Sequence, residues 1–282
     1  MNKNKGDIID INSETSLTSL GGKGYQLTRL AKSFNVPPFF IITFENQNEL
    51  SVPNNQKDII RQCENYNFDM IAVRSSASVE DSENASFAGM FKTVFVHSRD
   101  VISAIRQVLE SANNERVSKY CISRGFEIQN IHMNVIVQKL IKSRVSGVTF
   151  TRNGNNSEQL IVEACYGLGE ALVSGKITPD SYFINRSSLE IIKTSIGYQK
   201  DELTLTSDNS CHLAYKNIPF HKRTAKKLTI NEIKKVVEVS LHIEQYLNFD
   251  ASDIEWAFED ETFFILQARP LIIINEIIST EN

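Results

Sequence analysis

The sequence predicts an α+β fold, on three observations. Short apolar runs bounded by Gly, Pro, Asn or Ser recur along most of the chain, and their length is that of strands. Only a few stretches carry apolar residues at helical spacing. The two kinds do not alternate regularly, so a doubly wound βαβ sheet is not expected.

The elements follow in order. Gly21, Gly22 and Gly24 surround Lys23, and Leu27, Leu30, Ala31 and Phe34 then recur as one face of a short amphipathic helix. Pro37 and Pro38 end it and launch an apolar strand over 39–43. Residues 45–67 are polar and predict a loop and a short helix. A strand over 70–73 delivers Arg74 into a serine-rich loop, and 91–97 reads as extended. Val101, Ile105, Val108, Leu109 and Ala112 mark another helix. Strands are expected over 135–139, 147–151, 160–164, 181–185 and 190–196, and residues 197–225 read as polar and irregular. Ile230, Ile233, Val237, Leu241 and Leu247 predict one helix of about 18 residues. A hairpin closes the pattern, with Asp253 and Glu255 on its first strand and Gln267 and Arg269 on its second. Residues two apart share a face of a strand, so each pair points one way.

Composition narrows the class. The chain has 282 residues, 41% hydrophobic and 23% charged, enough for one large core or two moderate ones. A net charge of −4 argues against a general nucleic-acid or membrane-surface binder. The polar N-terminus lacks the apolar centre of a signal peptide, and no run reaches transmembrane length, so a cytoplasmic protein is expected. Cys63, Cys121, Cys165 and Cys211 form no CxxC pair and read as free thiols; the five histidines show no metal-ligand spacing.

The hairpin residues suggest chemistry. Two acids facing an amide and a guanidinium suit Mg²⁺ and nucleotide phosphates; the alternative is a set of exposed charge pairs, which stabilise only weakly. The glycines around Lys23 lack the spacer and the Ser/Thr of a P-loop. They can still offer backbone N–H groups and one cation to an anion, or be a plain helix start. Arg74, beside Ser75 and Ser76, suits an oxyanion, which a guanidinium bonds bidentately; it can equally cap its own loop. Gly89, in the small-residue loop 85–91, lets backbone approach a ligand, and Thr93 adds a hydroxyl. Gln138 and Lys139 end a strand, where Gln138 is placed near a sugar or base. Tyr166 to Glu170 reads as a tight turn, with Glu170 structural.

These segments, in this order, resemble the N-terminal ATP-binding domain of phosphoenolpyruvate synthase and pyruvate phosphate dikinase, and the similar domain of rifampicin phosphotransferases. The resembling blocks are 20–24, 36–39, 72–77, 85–89, 137–138, 146–151, 162–170, 179–180, 253–256 and 265–270. Each is weak alone, but together they hold their order over nearly the whole chain. The resemblance implies an ATP-grasp fold, two α+β lobes clamping the nucleotide, with lobes expected over 1–175 and 176–282. It implies that Lys23, Arg74 and Arg269 contact phosphates, that Gly89 and Thr93 cover the phosphate tail, and that Gln138 lies by the adenosine. It further implies that Glu255 and Gln267 hold Mg²⁺, and that Asp253 supports the metal or the acceptor. Lys23, Arg74, Asp253 and Arg269 would be the catalytic set, and Lys23 and Arg269 would serve turnover rather than stability.

The implied activity is ATP- and Mg²⁺-dependent phosphoryl transfer. The family's Gly-Gly-x-Thr-x-His segment does not occur in this sequence. A stand-alone module is therefore expected, acting on a histidine of a separate carrier protein or on a small acceptor. An ATP-grasp ligase that activates a carboxylate, or a regulatory nucleotide-binding module, are the alternatives.

Overall fold

In the computed structural model, which describes residues 7–9, 17–44, 47–77, 92–111, 119, 133–154, 156–206 and 212–272, two antiparallel sheets flank a cleft. The first contains β1 (Asp7–Ile9), β2 (Phe39–Thr43), β3 (Met70–Ala77), β4 (Val94–His97) and β5 (Met133–Lys139). Their order is β1-β2-β5-β3-β4. Its inner strands are buried on both faces, hence their unbroken apolar runs. Helices α2 (Pro53–Asn65) and α3 (Val101–Ser111) cover one face through Ile59, Ile105 and Val108. Helix α1 (Leu17–Ala31) covers the other through Leu20 and Leu27.

The second sheet contains β6 (Val145–Phe150), β7 (Gln159–Tyr166), β8 (Asp180–Asn185), β9 (Ile191–Ser195), β12 (Ser252–Glu259) and β13 (Thr262–Pro270), in the order β13-β12-β6-β7-β8-β9. A one-turn helix, α4 (Glu170–Val173), follows β7. Helix α5 (Ile230–Leu247) lays Ile233, Val236, Val237, Ile243 and Leu247 against Leu160, Val162, Ile254 and Trp256. Its start is set by a capping box: Glu232 N–H donates to Thr229 Oγ1, and Thr229 N–H donates to Glu232 Oε2. Its end is set by Asn248 in the left-handed region, at φ 59°.

Two expectations change. Residues 197–225 contain a hairpin, β10 (Asp201–Leu205) and β11 (Leu213–Asn217). Only Leu203, Leu205 and Leu213 of it pack, against Met70, Leu140 and Leu168, so its apolar signal is faint. The helix expected after the glycines begins earlier, at Leu17. By sheet membership the chain crosses from the first sheet to the second between Lys139 and Val145, ahead of the expected 175/176 division; we propose this crossover as the lobe boundary. Apolar runs such as β6 and β7 look alike in either sheet, and only pairing with β12 assigns them. Cys63 and Cys165 are free and buried, and burial pushes their thiols up to about 12 and about 11. Cys121 and Cys211 lie outside the described residues. Among the described residues, no helix is long and apolar enough to cross a membrane.

Candidate active site

The closing hairpin carries the acidic wall, and a bulge sets its faces. Asp253 pairs with Arg269 and Glu255 with Gln267; the register then shifts, and Trp256 pairs with Ile265. Leu266 is the extra residue on β13. On β12, Ile254, Trp256 and Phe258 enter the core in simple alternation. On β13, Phe263 and Ile265 enter the same core. Unbroken alternation would send Gln267 and Arg269 after them. The bulge turns these two toward the cleft, opposite the acids, and both line it.

Arg74 reaches this wall from the first sheet. It lies within β3, opposite Ile136, rather than in a following loop. Its Nη2 donates to Gln267 Oε1 at 2.6 Å and to Glu255 Oε2 at 3.3 Å, and its Nη1 donates to the carbonyl of Leu266 at 3.2 Å.

The Lys23 segment is fastened to the same strand. Gly21 interrupts α1 at φ 74°, and a Cβ there would stand 2.5 Å from the Ser76 carbonyl oxygen. The buried Ser76 hydroxyl donates to the carbonyl of Leu20 at 2.7 Å and accepts from Gly24 N–H at 2.9 Å. Ser76, expected beside an anion, is thus a structural tie between the loop of Lys23 and the strand of Arg74. The Gly24 amide is bonded within that tie.

The cleft encloses about 420 Å³. Lys23, Arg74, Thr93, Gln138, Glu255, Gln267 and Arg269 all line it. Ala72, Phe95, Leu140 and Leu168 supply apolar wall, which suits a flat base; the cations suit phosphates. Gln138 is buried and donates through Nε2 to the Pro37 carbonyl at 3.4 Å. Gly89 lies outside the described residues.

Asp253 is placed differently from the other candidates. It is 7% exposed and is not part of the cleft lining. One oxygen, Oδ2, accepts from Arg269 Nε at 2.9 Å and from Nη2 at 2.6 Å. Burial raises its carboxyl above the ordinary range; Arg269 opposes this and Glu255 adds to it. The geometry makes Asp253 the support of Arg269.

Glu170, read from the sequence as structural, also lies at the cleft. It lines the cleft from the start of α4, more than a third exposed. Partial burial in the cleft raises its carboxyl by stripping water from the charged form, the Glu255 charge raises it further, and Arg74 and Lys176 partly offset both. Its position depends on contacts that no local pattern reveals: the bridge of Gly167 to Leu203, and the Leu168 N–H bond to the Leu203 carbonyl at 2.8 Å.

Two side-chain oxygens of the cleft could ligate a divalent cation. Oε1 of Gln267 and Oε2 of Glu255 converge on one nitrogen of a cationic group. Among the described residues, no three His, Cys, Asp or Glu side chains cluster as metal ligands. A Mg²⁺ ion here would take its other oxygens from phosphate and water.

Comparison with known proteins gives four likenesses. The family model of the pyruvate phosphate dikinase AMP/ATP-binding domain matches residues 51–281. A probable phosphoenolpyruvate synthase of Methanocaldococcus jannaschii is 34% identical over 205 residues, covering 71% of this chain and 17% of that protein. The rifampicin phosphotransferase of Bacillus cereus is 31% identical over 204 residues, covering 71% of this chain and 23% of that protein. This chain therefore spans less than a quarter of either relative's length. A D-alanine–D-alanine ligase of Coxiella burnetii aligns over 93% of this chain and 50% of its own, at 9% identity and a TM-score of 0.44, too slight a likeness to carry weight.

Proposed function

Because this chain belongs to the pyruvate phosphate dikinase AMP/ATP-binding domain family, we propose that it is the ATP-consuming module of a phosphotransferase. It takes ATP with Mg²⁺ and passes the β-phosphoryl group to a histidine on a separate carrier protein or to a small acceptor; the γ-phosphoryl group goes to water and leaves as phosphate, and AMP is released. The observation that carries this reading is the convergence of Lys23, Arg74 and Arg269 on one cleft with Glu255 and Gln267. Phosphoryl transfer asks a protein for positioning and charge neutralisation more than for covalent chemistry.

The placement of these side chains supports the following roles. The apolar wall and Gln138 seat the adenosine. Lys23, Arg74 and Arg269 stabilise charge on the phosphate tail, with Asp253 holding the Arg269 guanidinium in its orientation. Glu255 and Gln267 hold Mg²⁺, which neutralises phosphate charge when bound.

Two measurements test the reading. Mg²⁺-ATP at a hundred times its Kd stabilises the folded protein by about 2.7 kcal/mol. Absence of any thermal shift overturns nucleotide binding. With a carrier supplied, AMP is the expected product; ADP and phosphate, formed only with a carboxylate substrate, would establish a ligase instead. Lys23→Ala reduces turnover far more than stability. Arg269→Ala lowers both, because it strands the buried Asp253 carboxylate without its partner.

A further inference from the structure

The two side chains assigned to the metal already hold a cation, the Arg74 guanidinium. Its Nη2 lies 2.6 Å from Gln267 Oε1 and 3.3 Å from Glu255 Oε2, while its Nη1 is anchored on the Leu266 carbonyl at 3.2 Å. The Arg74 side chain is 12% exposed and that of Glu255 24%, so solvent screens the pair only in part.

We propose that Arg74 is a specificity-determining residue: it closes the metal ligands to a free divalent cation and yields them to the metal–nucleotide complex. This rests on the nucleotide reading of the cleft given above. A bare Mg²⁺ arriving first has to displace a guanidinium held at three points, within a cleft also lined by Lys23 and Arg269. It would gain only two side-chain oxygens where Mg²⁺ requires six ligands and dehydrates reluctantly. A nucleotide phosphate changes both terms. Its oxyanions offer the guanidinium a bidentate partner, and they bring further oxygen ligands to the ion.

The exchange is confined to the side chain. The Arg74 backbone is fixed within β3, paired to Ile136 of β5, so the guanidinium moves while the strand stays. Arg74 thereby also holds Glu255 and Gln267 in converging orientations before the metal arrives.

The test is Mn²⁺ binding followed by electron paramagnetic resonance on the whole chain, in the absence of nucleotide. Arg74→Gln is expected to bind free Mn²⁺ at least tenfold more tightly than wild type. Arg74→Met is expected to do the same, and it serves if the first variant does not fold. Lys139→Met removes one positive charge from the cleft lining elsewhere, and is expected to change Mn²⁺ affinity less than threefold. Adding Glu255→Gln to Arg74→Gln is expected to erase the gain. Equal Mn²⁺ affinity in wild type and the Arg74 variants overturns the proposal. So does a gain in Lys139→Met as large as in Arg74→Gln, or a gain that survives Glu255→Gln. None of these arms contains nucleotide. A wild-type protein that ignores a non-hydrolysable ATP analogue with Mn²⁺ would instead defeat the nucleotide reading.

Discussion

Single side chains in this cleft work against one another as well as together. Glu170 and Glu255 face a shared space, and the Glu170 carboxyl is lifted above its ordinary value of 4.5, first by partial burial and then by that neighbour. A carboxyl raised in the folded state binds its proton more tightly there than in the unfolded chain. Its ionisation therefore lowers stability as pH climbs past 4.5, and the penalty is absent well below that value. Glu170→Gln is expected to raise the melting temperature at pH 7 and to leave it unchanged near pH 3. A gain of equal size at both pH values would refute the electrostatic origin. Solvent keeps the effect small, since the side chain is more than a third exposed. Gly147 shows a different demand on one position. A Cβ there would stand 2.0 Å from the Glu163 carbonyl and 2.3 Å from the Trp256 ring, so the absence of a side chain is what lets the tryptophan lie across β6. The indole N–H then donates to Thr149 Oγ1 at 2.9 Å.

At the scale of elements, the closing hairpin depends on one extra residue. Leu266 lets β13 send Phe263 and Ile265 into the core and Gln267 and Arg269 into the cleft. Removing it would join Ile265 directly to Gln267 and restore plain alternation with the same pairs opposite Trp256 and Glu255. Deletion of Leu266 is therefore expected to leave a cooperative thermal melt. It would cost nucleotide affinity at least tenfold, because Arg74 loses the Leu266 carbonyl and the local twist of the bulge relaxes. An unfolded deletion variant, or one with undiminished affinity, would show that the bulge does something else. The sequence alone places acids on one strand and amide and guanidinium on the other. It does not place the bulge, since Phe263 to Arg269 is consistent with several registers until β12 selects one.

Over the whole molecule, the two sheets are joined by more than the crossover. Helix α1 gives Leu20 and Leu27 to the core of the first sheet and Leu30 to that of the second. Beyond it, Asn35 donates through Nδ2 to the Phe263 carbonyl at 2.8 Å and accepts from Ile265 N–H at 2.9 Å. The second lobe is also tied across long separations by a buried ion pair. Lys227 Nζ lies 2.7 Å from Asp180 Oδ1 with both side chains fully buried, and Tyr182 Oη, Gly197 N–H and Lys227 N–H also donate to the carboxylate. Such a pair is costly to break from one side. Asp180→Ala is expected to cost about 3–5 kcal/mol in denaturant unfolding, because it leaves a buried ammonium without its anion. Adding Lys227→Met should recover most of that loss. A single variant that unfolds like wild type would count against the pair's role.

The strands and helices were largely written in the chain, because apolar period acts within a few residues. The apolar spacing of 230–247 sufficed for α5, and apolar runs sufficed for β2, β5 and β8. The sequence by itself also singled out Lys23, Arg74, Gln138, Glu255, Gln267 and Arg269, which the fold brings to one cleft. Only the tertiary structure decided how they meet. Arg74 and Glu255 are 181 residues apart, and no local pattern states that one will rest on the other. The same holds for Asp253 beneath Arg269, for Glu170 at the cleft wall, and for β6 and β7 in the second sheet. Period and composition are properties of neighbours in sequence. Sheet partnership, register and burial are chosen by distant segments competing for the same surfaces, and that choice is made when the chain folds.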